Sequence, residues 1–208
     1  ATTTVWDDVA PGTGDVANNG TTNDSQPELR GTLSSALAGN ETLAVYRDNV
    51  KIGYATVDGT GTNWKYVDTT GQLENHGSYS YEARVEDAAG NLGAYSSPYG
   101  ITLELIGPDT RATITALNDD EAPVTGPVAN NGWTNDLTPQ LEGTLQKALD
   151  AGQKVVVYRD GVEVGEATVS GTGWTYADSG LADGGKYVYT VYGQDGADNW
   201  GRRRTTGR

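Results

Sequence analysis

Apolar and polar residues alternate along this chain in short runs, and Gly, Asn, Asp or Pro interrupts each run. That period of two predicts half-buried strands. The runs come in matching pairs: ATTTV (1–5) with ATITAL (112–117), and QPELRGTL (26–33) with TPQLEGTL (138–145). ETLAVYRDNVKIGYATV (41–57) and QKVVVYRDGVEVGEATV (153–169) each read as two strands around a tight turn. Asp48-Asn49 and Asp160-Gly161 stand at the tips, and Asp-Gly is a strong hairpin signal. NWKYVD (63–68) matches GWTYAD (173–178), and GSYSYEARVED (77–87) matches GKYVYTVYGQD (185–195). SSPYGITLELI (96–106) reads as a last strand of the first set. No stretch shows a convincing helical period.

The pairing is a repeat of one domain. Asp7 and Asp119, like Pro27 and Pro139, lie 112 residues apart; Trp64 and Trp174 lie 110 apart, and Asp87 and Asp195 108. The offset shrinks at GTGTNW against GTGW and at DTTGQL against DSGL. Both are turn sequences, where changes of length cost little. The expected fold is all-β: two tandem immunoglobulin-like β-sandwich domains joined end to end. Domain one covers 1–106, a linker 107–112, and domain two 113–208. After Asn199 only WGRRRTTGR remains, basic and poor in apolar residues, so the last strand of the second copy reads as truncated, frayed or replaced.

Composition narrows the function. The 208 residues carry 28 acids against 14 Lys and Arg, a net charge of −14. Such a balance excludes a nucleic-acid partner, whose phosphates demand cations. It suits a cation ligand or plain solubility. There is no Cys, so neither disulfides nor thiol chemistry is available. No apolar run is long enough to enter a membrane as a helix, and no signal-peptide pattern is visible. The aromatic mass is 12 Tyr and 5 Trp with no Phe. Trp64, Trp174, Tyr46, Tyr158, Tyr81 and Tyr189 read as core or sheet-face residues, with a sugar-binding platform as the sharper alternative for some. Trp133 and Trp200 stand where the first copy has Thr21 and Leu92, and read as candidates for a contact between domains.

The ordered set DDVAP, VANNG, TND, PELRGTL, VYRD, Trp64 after a glycine-rich turn, and DAAGN recurs almost intact in the second copy. It resembles the bacterial Ig-like repeats of large biofilm-associated and type-I-secreted, RTX-type surface adhesins. The chain departs from that pattern at GPDTRAT (107–113), where such repeats often carry an Asp-Thr-x-x-Pro linker, and at DGADN (195–199) in place of DAAGN. The resemblance implies a secreted extender at the bacterial cell surface. It would be stiffened by calcium at domain junctions and would hold a distal ligand-binding region away from the cell for adhesion or biofilm formation. Its partners would be neighbouring Ig-like repeats, and the adhesion target would be bound elsewhere in the parent protein.

The acids suit that ion. Ca²⁺ takes six to eight oxygens from carboxylates, Asn and backbone carbonyls. A zinc site is excluded by one His, His76, and no Cys. WDDVAPGTGDVANNGTTND (6–24) reads as a long acidic loop, with Asp7, Asp8 and Asp24 as candidate ligands. Asp119, Asp120 and Asp136 repeat them, and Asp87 and Asn91 fall in the loop before the last strand. Asp109 reads as a bridge able to share a cation with Asp195 and Asn199 or with the acids of the opening loop; Asp198 completes the set. Against this stands ordinary turn and capping chemistry. Glycoside hydrolysis by paired carboxylates fits poorly, since the acids fall twice over in domain-end loops. A calcium-dependent carbohydrate-binding module is the main rival, and homotypic adhesion a third reading.

Overall fold

The computed structural model describes residues 3–71 and 73–201, and among these there is no helix. The chain divides into two compact units, Ala1–Ile106 with Gly196–Asn199, and Gly107–Asp195 with Trp200–Arg208.

In the first unit ten strands are described: β1 (Thr4–Asp7), β2 (Gly14–Val16), β3 (Gly20–Thr22), β4 (Glu28–Thr32), β5 (Glu41–Arg47), β6 (Val50–Tyr54), β7 (Thr56–Val57), β8 (Asn63–Val67), β9 (Ser78–Asp87) and β10 (Tyr99–Leu103). One sheet runs β2-β1-β4-β8-β7 and the other β3-β10-β9-β5-β6. Alternation sends one side of each sheet inward. Val5, Leu29 and Trp64 from the first sheet meet Leu43, Val45, Tyr81, Ala83 and Ile101 from the second. Burying a Val, Leu or Ile contributes about 1.5–3 kcal/mol, so these contacts fix which face points in. At the tip between β5 and β6, Asp48 (φ 50°) and Asn49 (φ 67°) are both left-handed, as a two-residue hairpin turn requires.

The stretch 6–24 is not a simple loop. It holds the end of β1 and all of β2 and β3. β2 folds back on β1, with Val5 opposite Val16. β3 changes sheet and pairs in parallel with β10, Gly20 opposite Ile101 and Thr22 opposite Leu103. Three-residue strands made of Gly, Thr, Asp and Val are too short for a period of two to show, so only their partners define them.

The second unit has β11 (Ala112–Asp119), β12 (Gly126–Pro127), β13 (Gln140–Leu145), β14 (Lys154–Arg159), β15 (Val162–Glu166), β16 (Thr168–Ser170), β17 (Gly173–Ala177) and β18 (Tyr189–Gln194). Its sheets are β12-β11-β13-β17-β16 and β15-β14-β18. Leu141, Leu145, Val155, Val157, Ala167 and Trp174 form the core. Trp174 lies so close over β13 that a Cβ on Gly143 would sit 2.2 Å from its ring and 2.1 Å from the Thr113 carbonyl. Thr110, in the stretch read as linker, is buried in this unit, and its hydroxyl donates to the Lys147 carbonyl at 2.9 Å. The question of a last strand in the second copy falls on residues 202–208, outside the described residues.

Each unit ties its two sheets with the same buried ion pair. Arg47 of β5 donates to Asp68, just beyond β8, at 2.6 Å, and Tyr81 of β9 donates to the same carboxylate at 2.8 Å. In the second unit Arg159 donates to Asp178 at 2.8 Å, and Tyr189 donates to it as well. Burial first, and the neighbouring carboxylate second, push the Tyr81 and Tyr189 phenols well above their ordinary range.

Candidate functional site

The acids of the opening stretch converge because a threonine links them. β1 ends on Asp7, which is buried; its Oδ1 accepts from the Val9 amide at 2.7 Å and its Oδ2 from the Thr22 hydroxyl at 2.5 Å. Thr22 Oγ1 in turn accepts from the Asp24 amide at 3.1 Å, and Asp24 Oδ1 accepts from the Gln26 amide at 2.7 Å. Such local side-chain bonds satisfy backbone donors where the ladder stops. Asp8 also lies near enough to bear on Asp24. Burial, then the charges of Asp7 and Asp8, hold the Asp24 carboxyl above its usual value of 3.8.

The second unit repeats the device. Asp119 accepts from the Glu121 amide at 2.9 Å and the Thr134 hydroxyl at 2.6 Å. Asp136 accepts from the Thr138 amide at 2.7 Å and the Asp120 amide at 3.3 Å. The Thr134 hydroxyl is the chief cause holding Asp119 below the usual range. The structure therefore gathers Asp7, Asp8 and Asp24, and likewise Asp119, Asp120 and Asp136.

The remaining candidates are placed differently. Asp87 accepts from Asn91 Nδ2 at 2.8 Å, the Asn91 amide at 2.9 Å and the Ala89 amide at 2.9 Å, so these two candidates close their own loop. Asp109 pairs with Lys147 Nζ at 2.6 Å. Asp195 is buried and belongs to the second unit. Asp198 and Asn199 count with the first. There, with Asp7 and Asp15, Asp198 lines a cleft of about 330 Å³. Asn199 Oδ1 accepts from Asn23 Nδ2 at 3.1 Å, and Asn199 Nδ2 donates to the Glu104 carbonyl at 2.8 Å.

Asn23 was not among the candidates. It is buried, its Nδ2 also donates to the Ala10 carbonyl at 3.1 Å, and its Oδ1 has no hydrogen-bond partner among the described residues. The second unit repeats the first of these bonds, Asn135 Nδ2 donating to the Ala122 carbonyl at 2.8 Å. The signal was in the sequence, since T-N-D occurs in both copies. Among the described residues no three His, Cys, Asp or Glu side chains are arranged to hold a metal ion. A cation here would have to draw on Asn23 Oδ1, backbone carbonyls and water as well as carboxylates.

These environments predict opposite titrations. The Asn91 side chain, then its amide, holds the Asp87 carboxyl below 3.8, while Asp24 lies above it. Asp87 therefore contributes stability that is present above its unfolded value and lost as pH falls through its folded one. For Asp24 the sign is reversed: protonation favours the fold, and that contribution disappears as pH rises through the folded value. Carboxyl-carbon NMR titration should show Asp24 with a midpoint above 3.8 and Asp87 and Asp119 below it; a shared midpoint would refute this account.

Comparison with known proteins relates the first sandwich to a family. Residues 2–103 match the model of the bacterial Ig-like domain. The first repeat is similar to bacterial Ig-like domains. Exoglucanase B of Cellulomonas fimi is 30% identical over 156 residues, covering 74% of this chain and 12% of that protein. Among solved structures, the α-L-rhamnosidase of Dictyoglumus thermophilum aligns with a TM-score of 0.38 and 12% identity, over 88% of this chain and 27% of that one. The Streptomyces avermitilis α-L-rhamnosidase complexed with L-rhamnose aligns with 0.36 and 16%, over 86% and 24%. Likenesses at those scores carry no argument. The chain spans a small part of each of these relatives.

Proposed function

We propose that these tandem Ig-like repeats are an extender of a secreted, bacterial cell-surface adhesin, non-catalytic themselves, with calcium held by the acid-rich strand ends. The observation that carries the reading is the repetition of one Asp-Thr-Asp device at the same end of both units. A divalent ion beside Asp7, Asp8 and Asp24 would offset the burial, and after it the repulsion, that raise Asp24, and Asn23 Oδ1 is a buried oxygen with no partner among the described residues. The partners are further Ig-like repeats. At the outer loops of the second unit Val124, Trp133 and Leu137 are exposed, Trp133 by 89%. The first unit has Gly12, Thr21 and Ser25 at those positions. An apolar residue of that exposure suits an end-on contact with a neighbouring domain. The charge of −14 speaks against nucleic acid, and no helix among the described residues is long and apolar enough to cross a membrane.

Melting and small-angle scattering in millimolar calcium and in excess chelator test this. An ion at 100 times its Kd adds about 2.7 kcal/mol to the state that binds it. The expected result is a clear rise in Tm with a more ordered two-domain shape. No change in either returns the acids to turn chemistry. A second reading, a carbohydrate-binding accessory module, is favoured by the likeness to an exoglucanase; a rise in Tm without a change in shape would bring it forward.

A further inference from the structure

We propose that the outer face of the three-stranded sheet in the second unit, at Trp200 and Tyr192, binds a neutral polysaccharide by stacking against its sugar rings. The inference supplies the carbohydrate-binding reading with a site that needs no calcium, and it stands apart from the extender reading.

The faces of this sheet are settled by alternation. Val155, Val157, Tyr189 and Val191 pack against the core, so Val156, Tyr158 and Tyr192 lie on the outer side. Val156 stands opposite Tyr192 and is nonetheless only 1% exposed. Aromatic rings surround that position. Tyr158 and Tyr192 meet edge to face with centroids 5.6 Å apart. Trp200, held by a bridge to Gln194, lies on Tyr192 at 5.6 Å and 17°, and edge-on to Tyr158 at 5.8 Å. Covering Val156 explains the two tyrosines. It does not explain an indole left 51% exposed.

The first unit shows what the same face looks like when it is closed. There Tyr46, Arg84, Glu86 and Leu92 occupy the positions of Tyr158, Tyr192, Gln194 and Trp200. Arg84 lies over Tyr46 at 4.7 Å and over Tyr95 at 4.4 Å. Glu86 accepts from Tyr46 at 2.6 Å and from Lys51 at 3.0 Å. Leu92 makes the same bridge, to Glu86, and is 53% exposed with the chain beyond it in place through Ile106. The position is thus a surface position of the domain, and the second unit puts a tryptophan on it. The exchanges of Arg84 for Tyr192 and Glu86 for Gln194 also remove a cation and an anion. Among the described residues, an ionic cluster becomes a flat aromatic step with Glu163 at its edge.

That chemistry selects the ligand. A half-exposed indole stacked on a second ring offers a flat apolar surface. A pyranose with equatorial hydroxyls presents a flat face of C–H groups and a rim of hydroxyls, so it can cover the ring and keep its polar groups paired or wet. At the edge of the step Glu163 accepts from the Tyr158 hydroxyl at 3.1 Å, and its carboxylate is exposed to accept from a sugar hydroxyl. Among the described residues Tyr192 stands where the first unit has the cation Arg84, and a net charge of −14 repels polyanions. The ligand is therefore a neutral, extended, equatorially linked hexose or pentose chain.

The test is calorimetric and fluorescence titration of the full chain with cellohexaose, mannohexaose and xylohexaose, with and without chelator. At least one should bind with a Kd of roughly millimolar or better, equally in chelator. Trp200→Ala should weaken binding by about tenfold or more. Trp200→Phe should retain part of it, and Trp133→Ala should leave it unchanged. Melting the second unit checks that each variant folds. Failure of all three sugars to bind, or binding that survives Trp200→Ala, overturns the proposal. Either failure leaves the calcium response of the extender reading intact, so the two ideas fall separately.

Discussion

Asp68→Ala is expected to remove about 3–5 kcal/mol from the stability of the first unit, the usual penalty for stripping one partner from a buried ion pair. The carboxylate is fully buried and receives Arg47 at 2.6 Å, Tyr81 at 2.8 Å and Thr70 Oγ1 at 2.7 Å. Alanine would leave a cation and a phenol without their acceptor, at a place where the two sheets are tied by charge. The loss would be larger than that of an exposed pair such as Lys147 with Asp109, which solvent screens. Urea unfolding of the two-domain chain should show the transition of the first unit moving to lower denaturant while that of the second stays. If both midpoints stay within about 0.5 kcal/mol of wild type, the pair has no structural weight. Asp178→Ala is the mirror experiment, moving only the other transition.

Trp174→Ala should destabilise the second unit by about 3–5 kcal/mol, through lost transfer energy and the cavity left under β13. The cavity cannot close easily, because the neighbouring strand approaches only by virtue of Gly143. Trp174 Nε1 is buried with no hydrogen-bond partner among the described residues, so no polar contact there would be lost with the ring. Trp174→Phe should therefore cost clearly less than the alanine variant. Thermal unfolding of both, followed by near-ultraviolet circular dichroism, checks the order. A phenylalanine variant as unstable as the alanine one would mean that the indole nitrogen matters after all.

Much of this fold was legible in the chain. Alternation announced β9 and β13, where Tyr81 and Ala83, and Leu141 and Leu145, are buried between more exposed neighbours, whereas the apolar runs at 43–46 and 155–157 are buried on both faces. The turn at Asp160-Gly161 was equally plain, since few residue pairs accept two successive left-handed conformations. What escaped was whatever depends on long-range partners. β2 and β3 exist because β1 and β10 offer them edges, and nothing in GDV or GTT says so. The clamp of Arg47 on Asp68 joins residues of different sheets, and neither one looks unusual in its own strand. The grouping of the acids depends on a residue type that their own pattern does not show: Thr22 and Thr134 arrange them, and Asn23 lies beside them. The stacking of Trp200 on Tyr192 and its edge contact with Tyr158 likewise join residues separated in sequence.

The parallel pairing of β3 with β10 has a mechanical consequence. The chain of the first unit starts at β1 and β3 on one side and leaves through β10. Backbone bonds from Asn19 to Gly100 at 2.7 Å and from Glu104 to Thr22 at 2.8 Å flank the pairing. Because the two strands run the same way, a pull on the two ends slides them along each other. The bonds between them are then strained together and do not open one after another like a zip. Traction along the chain thus meets the resistance of a whole ladder, although β3 is only three residues long.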